Sequence, residues 1–249
     1  MLLADKVKES IKLLQEVEPK EGYYLAFSGG KDSVVIKSLA DKAGVKYDAH
    51  YSNTTIDPPE LIKYIKKYHK DVKWDNPKMS LAWAIVKHGY PTRQARWCCT
   101  QYKERGGTGR LVITGIRAEE SHKRAGRKVI ETCYKQEGKR YLNIILWWSQ
   151  VDVWKYIQDN ELLYCSLYDE GWDRIGCLFC PMNTDRVHHE RRYPGYAKLF
   201  RIAFDRRYEY SRQRGLSMAR RFKSGEEAFN FWLYEKRKLE DPDQGVMFE

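Results

Sequence analysis

The sequence predicts a doubly wound α/β protein with a mostly parallel sheet and a helical extension at its C-terminal end. Three observations lead there. Short apolar runs alternate with segments of helical periodicity up to about residue 183, the pattern of strands joined by crossover helices. A glycine-rich polar loop follows the first of those runs directly. From Asp185 the pattern changes to long, charged, aromatic-rich helices, which places a soft boundary between a domain over residues 1–183 and a helical region over 184–249.

The elements follow in order. Leu3, Val7, Ile11 and Leu14 recur at helical spacing and predict an amphipathic helix over residues 2–17. Residues 23–27 form a short strand, and a helix follows the loop from about Asp32 to Lys42. Residues 45–51 form the second strand. Pro58-Pro59 then open a helix with Leu61, Ile62, Ile65 and Tyr68 on one side, since proline is tolerated in a first turn. Residues 72–74 read as a strand, 81–87 as a helix, and 111–114, 129–134 and 142–146 as further strands. Ser149 with Asp152, and Ser224 with Glu227, have the spacing of helix caps. In parallel sheets ligands bind beyond the carboxyl ends of strands. The glycine-rich loop, Ser52–Thr55 and Gly115–Ser121 are therefore expected to converge on one crevice.

Of the 249 residues, 42% are hydrophobic and 32% charged, a globular balance rather than a disordered one. No apolar run is long enough to cross a bilayer, and the start, Met1-Leu2-Leu3-Ala4-Asp5-Lys6, does not look like a signal peptide. A cytoplasmic protein with no membrane partner is expected. Net charge is +11, and residues 181–240 hold 15 Lys/Arg against 8 Asp/Glu. That excess suits a polyanionic partner and equally a solvated helical face.

The loop Ser28-Gly29-Gly30-Lys31-Asp32-Ser33 carries the first chemical signal. Two glycines let backbone N–H groups approach an anion, and the following helix N-terminus adds partial positive charge. Lys31 can neutralise phosphate, Asp32 can hold Mg²⁺, and Ser28 and Ser33 offer hydroxyls. The spacing is not that of a Walker A loop. The string resembles the signature loop of the PP-loop ATP pyrophosphatases, with their adenine nucleotide alpha hydrolase-like fold. More narrowly, most of residues 20–183 resembles the phosphoadenosine-phosphosulfate (PAPS) reductase family. The likeness includes Thr114-Gly115-Ile116-Arg117-Ala118-Glu119-Glu120-Ser121 and the run from Trp148 to Trp154 leading to Gly176-Cys177. It implies an adenine nucleotide as ligand (ATP, or APS/PAPS), with Gly115 at the nucleotide and Arg117 on the phosphate or leaving group. Arg124 is a weaker candidate for that role.

Cys98-Cys99 and Cys177-Leu178-Phe179-Cys180 carry the second signal. Clustered cysteines in a chain of this kind read first as metal ligands. Adjacent cysteines chelate one Zn²⁺ awkwardly, whereas a cubane offers separated irons. The set also resembles that of the iron–sulfur members of the family, with Gly176 and Lys103 beside it. A [4Fe–4S] cluster is expected, with Zn²⁺ as the alternative. Cys133 and Cys165 read as small buried residues, and His188-His189 as surface or phosphate-contacting residues.

The resemblance fails at one point. Sulfonucleotide reductases use a nucleophilic cysteine near the C-terminus, and no cysteine follows Cys180; the tail Asp241–Glu249 offers no substitute. The chain is similar in this to the ATP pyrophosphatases of DNA phosphorothioation. That likeness implies adenylation with Mg and ATP, a sulfur-donor protein, and DNA or tRNA as acceptor, with Lys31, Asp32 and Arg117 as catalytic residues. Sulfonucleotide reduction and a non-catalytic binding module remain the alternatives. Arg191-Arg192, Arg206-Arg207, Arg212, Arg214 and Arg220-Arg221, interleaved with Tyr193, Tyr196, Tyr208 and Tyr210, could track a phosphate backbone or cap a helical bundle. The four-residue spacing of Phe200, Phe204 and Tyr208 favours packing for that stripe.

Overall fold

The apolar spacing near the start forms the expected helix, α1 (Leu3–Glu16), whose buried Leu14 joins the core. The remaining elements of the computed structural model, which describes residues 1–183 and 186–234, follow in chain order. They are β1 (Tyr23–Ala26), α2 (Lys31–Ala43), β2 (Tyr47–Ser52), α3 (Pro59–Tyr68), β3 (Lys73–Asp75), α4 (Leu81–His88) and β4 (Leu111–Ile113). Then come α5 (His122–Ala125), β5 (Ile130–Thr132), β6 (Arg140–Leu142) and α6 (Gln150–Asp159). The last are α7 (Arg186–Arg192), α8 (Pro194–Gln213), α9 (Ser217–Arg221) and α10 (Gly225–Tyr234). The tail Asp241–Glu249, read above for its lack of a thiol, lies outside the described residues.

The strands form one sheet of order β3-β2-β1-β4-β6-β5, parallel throughout except for the β5–β6 pair. β1 sits inside the sheet, where Tyr23 and Leu25 are fully buried, and the loop therefore leaves from a strand anchored on both sides. Burial on that scale is worth about 1.5–3 kcal/mol per large apolar side chain. Gly44 ends α2 in the left-handed conformation (φ +67°), so β2 starts at Tyr47 rather than Val45.

The strand expected over 142–146 is a correction. β6 covers Arg140–Leu142, and the following residues turn while remaining buried. The turn is fixed by the Asn143 side chain, which donates to the carbonyl of Lys128 (2.8 Å) and a carboxylate oxygen of Glu131 (2.9 Å) and accepts from the Thr114 hydroxyl. Ala118 N–H also donates to the Leu146 carbonyl at 2.7 Å. Apolar residues in a buried turn mimic a strand in sequence.

Contacts divide the chain into two units: residues 1–78 with 98–177, and residues 79–97 with 178 onward. The division falls shortly before the boundary expected at 183, and the segment containing α4 belongs with the C-terminal helices. Within that second unit Arg207 donates to the carbonyls of Val86 (3.2 Å) and Lys87 (3.1 Å) in the last turn of α4. Trp232 Nε1 donates to Pro91 (2.7 Å), and Phe200 and Phe204 are fully buried. No helix among the described residues is long and apolar enough to cross a membrane.

In the first unit His69 ends α3 against Phe27 (ring centroids 4.6 Å apart) and the Tyr64 hydroxyl (2.8 Å). Burial, then the Lys37 charge, lowers its pKa from 6.5 to about 4. The unfolded chain therefore takes up this proton before the folded one does. Stability is expected to fall as pH drops from about 6.5 to about 4. His69→Gln should flatten that segment of a urea-midpoint-against-pH curve.

Candidate functional site

The loop forms where β1 ends and α2 begins. Gly29 takes φ +75°, and a Cβ there would lie 2.7 Å from Leu61 Cδ1 and 2.8 Å from Ile65 Cδ1 of α3. Glycine is thus required twice, by conformation and by close approach. Gly30 is different. Its backbone is extended (φ −78°, ψ 160°), but a Cβ would face the Tyr168 hydroxyl at 3.3 Å and Ser28 Oγ at 3.5 Å. Ser33 Oγ donates to the Gly30 carbonyl (2.7 Å) and lies 3.3 Å from Ser28 Oγ. α2 has no side-chain cap, so its first turn keeps the amide-rich end that suits an anion.

Charge is organised around Asp32. Arg117 is buried and donates through Nε to Asp32 Oδ1 (2.6 Å) and through a terminal nitrogen to Glu119 (2.8 Å). Burial pulls its pKa down, but the Asp32 charge and hydrogen bond, with Glu120 and Glu119, raise it overall. Lys31 Nζ lies 3.8 Å from Asp32 Oδ2 and donates to the Asp173 carbonyl at 3.1 Å. Gly115 permits this approach, since a Cβ there would come within 3.1 Å of the Asp32 backbone. The loop and Gly115–Ser121 therefore converge as expected. Both Asp32 oxygens face cations, an arrangement that does not fit a Mg²⁺ ligand. Arg124 pairs with Glu120 instead of reaching the loop's carboxylate.

Tyr168, in a single 3-10 turn over Ser166–Tyr168, was not anticipated from sequence. Its hydroxyl accepts the Lys31 backbone N–H at 3.0 Å. Its ring stands edge-on to Trp154 (5.1 Å) and Tyr164 (6.3 Å).

The cysteines carry no disulfide among the described residues. Cys98 and Cys99 are half-buried at the start of a π-helical turn over Cys99–Lys103, a form common at functional sites. Burial pushes the Cys177 thiol up to about 11 against the Lys103 ammonium, and Asp57 and Thr54 also act on it. Ser52–Thr55 thus reaches the cysteine segment, with Thr54 held by its hydroxyl and amide on Asp57 (2.6 and 3.2 Å). Cys180 belongs to the second unit. Among the described residues no group of three or more His, Cys, Asp or Glu is arranged to hold a metal ion.

Two smaller expectations are corrected. Cys165 is buried, but Cys133 is half-buried; burial raises its thiol pKa, and the Tyr141 hydroxyl, the Lys135 and Gln136 backbone and the Lys139 charge outweigh that and lower it. His189 is no surface residue: it is buried and accepts the Phe179 N–H at 3.0 Å, which braces Phe179 at φ +56° between the cysteines of the second pair. In the second unit Arg201 pairs with Glu190 (2.6 Å) and Arg212 with Glu209 (2.9 Å). Arg206 lies over the exposed Trp83 (4.9 Å) and Arg214 over Tyr210 (4.1 Å).

Residues 22–183 match the model of the phosphoadenosine phosphosulfate reductase domain. Among curated relatives, an uncharacterized protein of Methanocaldococcus jannaschii is 31% identical over 77% of this chain and 50% of its own. A second from that organism is 34% identical over 65% of this chain and 36% of its own, so the chain spans half or less of these two relatives. An adenosine 5'-phosphosulfate reductase of Oceanobacillus iheyensis is 29% identical over 71% of this chain and 79% of its own. The crystal structure of a PAPS reductase from Candida auris, a phosphate complex, superposes with TM-score 0.53 at 21% identity, covering 69% of this chain and 87% of that one. It establishes the likeness of fold.

The two loop glycines should separate stability from binding. Gly29→Ala is expected to destabilise the protein by about 2 kcal/mol in urea unfolding. Gly30→Ala should change stability little while weakening phosphate-type anions in calorimetric titration, because its methyl group enters the space between Ser28 and Tyr168.

Proposed function

The chain belongs to the phosphoadenosine phosphosulfate reductase domain family, and on that footing we propose that it is a PP-loop ATP pyrophosphatase. It would adenylate an acceptor in a sulfur-transfer reaction, with nucleic acid as the acceptor class. The observation that carries this is the arrangement of Lys31 and Arg117 on Asp32 beside a glycine loop at a helix N-terminus. Two fixed cations and backbone amides suit a leaving group of high negative charge.

In the proposed reaction the acceptor oxygen attacks the α-phosphorus of ATP. The bond to pyrophosphate breaks, and its electron pair leaves with the pyrophosphate. Loop amides receive the β- and γ-phosphates. Lys31 exchanges the Asp173 carbonyl for a phosphate oxygen, and Arg117, oriented by Asp32, faces the developing charge. Preorganised donors of this kind act without reorganisation during reaction. A nucleophile from a sulfur-donor protein then displaces AMP. Mg²⁺ would enter on the nucleotide's phosphates, since Asp32 is committed to the two cations.

A [4Fe–4S] cluster on Cys98, Cys99, Cys177 and Cys180 belongs to the same proposal, with Zn²⁺ as the alternative. Cysteines outside any disulfide, two of them adjacent, support it as a donor set. Bound, the cluster would supply one-electron redox chemistry. The basic second unit supports the nucleic-acid acceptor: its described residues hold 15 Lys/Arg against 5 Asp/Glu.

Sulfonucleotide reduction is the second reading, favoured by similarity to the Oceanobacillus iheyensis reductase. It needs a nucleophilic thiol.

Protein purified without oxygen should release pyrophosphate from ATP when DNA or tRNA is present. Asp32→Ala should reduce that rate by about 10²-fold or more. Iron and acid-labile sulfide should accompany the wild type and be lost in Cys99→Ala. Sulfite released from APS or PAPS with thioredoxin, without pyrophosphate from ATP, would establish the reductase instead. Nucleotide binding with neither activity would leave a binding module.

A further inference from the structure

Tyr168 lies 137 residues from its partner Lys31 in sequence, yet its hydroxyl sits directly at the loop. The oxygen accepts the Lys31 N–H at 3.0 Å and also meets the Ile175 backbone N–H. No described residue accepts the hydroxyl's own hydrogen. Space remains beside it: a Cβ on Gly30 would be 3.3 Å from this hydroxyl and 3.5 Å from Ser28 Oγ, so two polar groups border a volume that glycine leaves open.

The ring is held firmly. Trp154 and Tyr164 pack edge-on against it, and the turn that carries it closes on itself through Gly171 N–H to the Tyr168 carbonyl and Trp172 N–H to the Leu167 carbonyl, both 3.1 Å. Lys31 Nζ passes 5.4 Å from the ring centre on its way to Asp173. Such a hydroxyl costs little entropy to use, because its position is set before a ligand arrives.

We propose that Tyr168 is a substrate-contacting residue that forms the wall of the loop opposite Ser28 and donates its hydroxyl hydrogen to an oxygen of the nucleotide's pyrophosphate group, an assignment that rests on the proposed binding of nucleotide phosphates at the loop. With two backbone N–H groups directed at its oxygen, Tyr168 meets the ligand as a donor. It therefore favours a ligand atom that accepts strongly, as an ionised phosphate oxygen does more than a protonated or alkylated one. The same contact fixes the Lys31 amide in the direction the loop requires.

The test is calorimetric titration of inorganic pyrophosphate into the full chain. Tyr168→Phe keeps the ring and its packing and should raise the dissociation constant about tenfold or more, with a lower thermal midpoint, because the Lys31 and Ile175 N–H groups lose their acceptor, but with a folded near-ultraviolet circular dichroism spectrum. Tyr164→Phe is the control: its hydroxyl donates to Asp169 (2.9 Å) one ring away, and its pyrophosphate affinity should match the wild type. Equal affinity in Tyr168→Phe overturns the assignment. Tighter binding also overturns it, by identifying the hydroxyl as an occupant that the anion must displace. An unfolded Tyr168→Phe would be replaced by Tyr168→Met, for which the same loss is expected. Failure of the wild type to bind pyrophosphate would instead refute the loop as a phosphate site, and this inference with it.

Discussion

The ion pair between Asp32 and Arg117 joins the first residues of α2 to the chain that leaves β4, two segments 85 residues apart in sequence. Arg117 is almost entirely buried. A charge in that position costs several kcal/mol unless it is paired and hydrogen-bonded, and removing one partner of such a pair typically costs about 3–5 kcal/mol. Neither residue can therefore be understood alone. Glu119 and Glu120 hold the far side of the Arg117 segment, and Gly115 lets that segment lie against the Asp32 backbone.

The arrangement of the first unit follows from this constraint. β1 is an interior strand, so the loop starts from a fixed point. Gly29 presses the loop onto Leu61 and Ile65 of α3, while Arg117 holds α2 from the other side. Lys31 is then directed toward the 166–175 segment, where Tyr168 and Asp173 receive its two donors. The second unit, described by itself, is an aromatic-centred helical body in which Phe200, Phe204, Phe229 and Trp232 pack together and arginines occupy the periphery.

What was legible in sequence was what is local. The loop, its flanking strand and helix, and the capping pairs Ser149–Asp152 and Ser224–Glu227 are read from neighbours a few residues apart, and the structure has them where expected. Arg117 was legible through family likeness, since nothing in its own neighbourhood distinguishes it from other arginines. Tyr168 was not legible, because a one-turn 3-10 segment has no periodicity and its partner is remote. The turn after β6 was misread because burial makes a loop apolar when a side chain such as Asn143 satisfies its backbone. His189 differs for the converse reason: adjacent basic and polar residues suggest solvent, whereas partners on both ring nitrogens, the Phe179 N–H and the Asn183 side chain, accommodate the ring inside. Reaction chemistry lies a step further out, since acceptor and sulfur donor are separate molecules.

Whether Arg117 serves the loop as a phosphate-binding cation rather than as structural filler is the central question about the site. Titration of pyrophosphate into wild type and Arg117→Gln, both first verified as folded by near-ultraviolet circular dichroism, decides this. Saturable wild-type binding that weakens at least tenfold in Arg117→Gln is the expected result. Equal affinity in a folded Arg117→Gln protein would contradict the account.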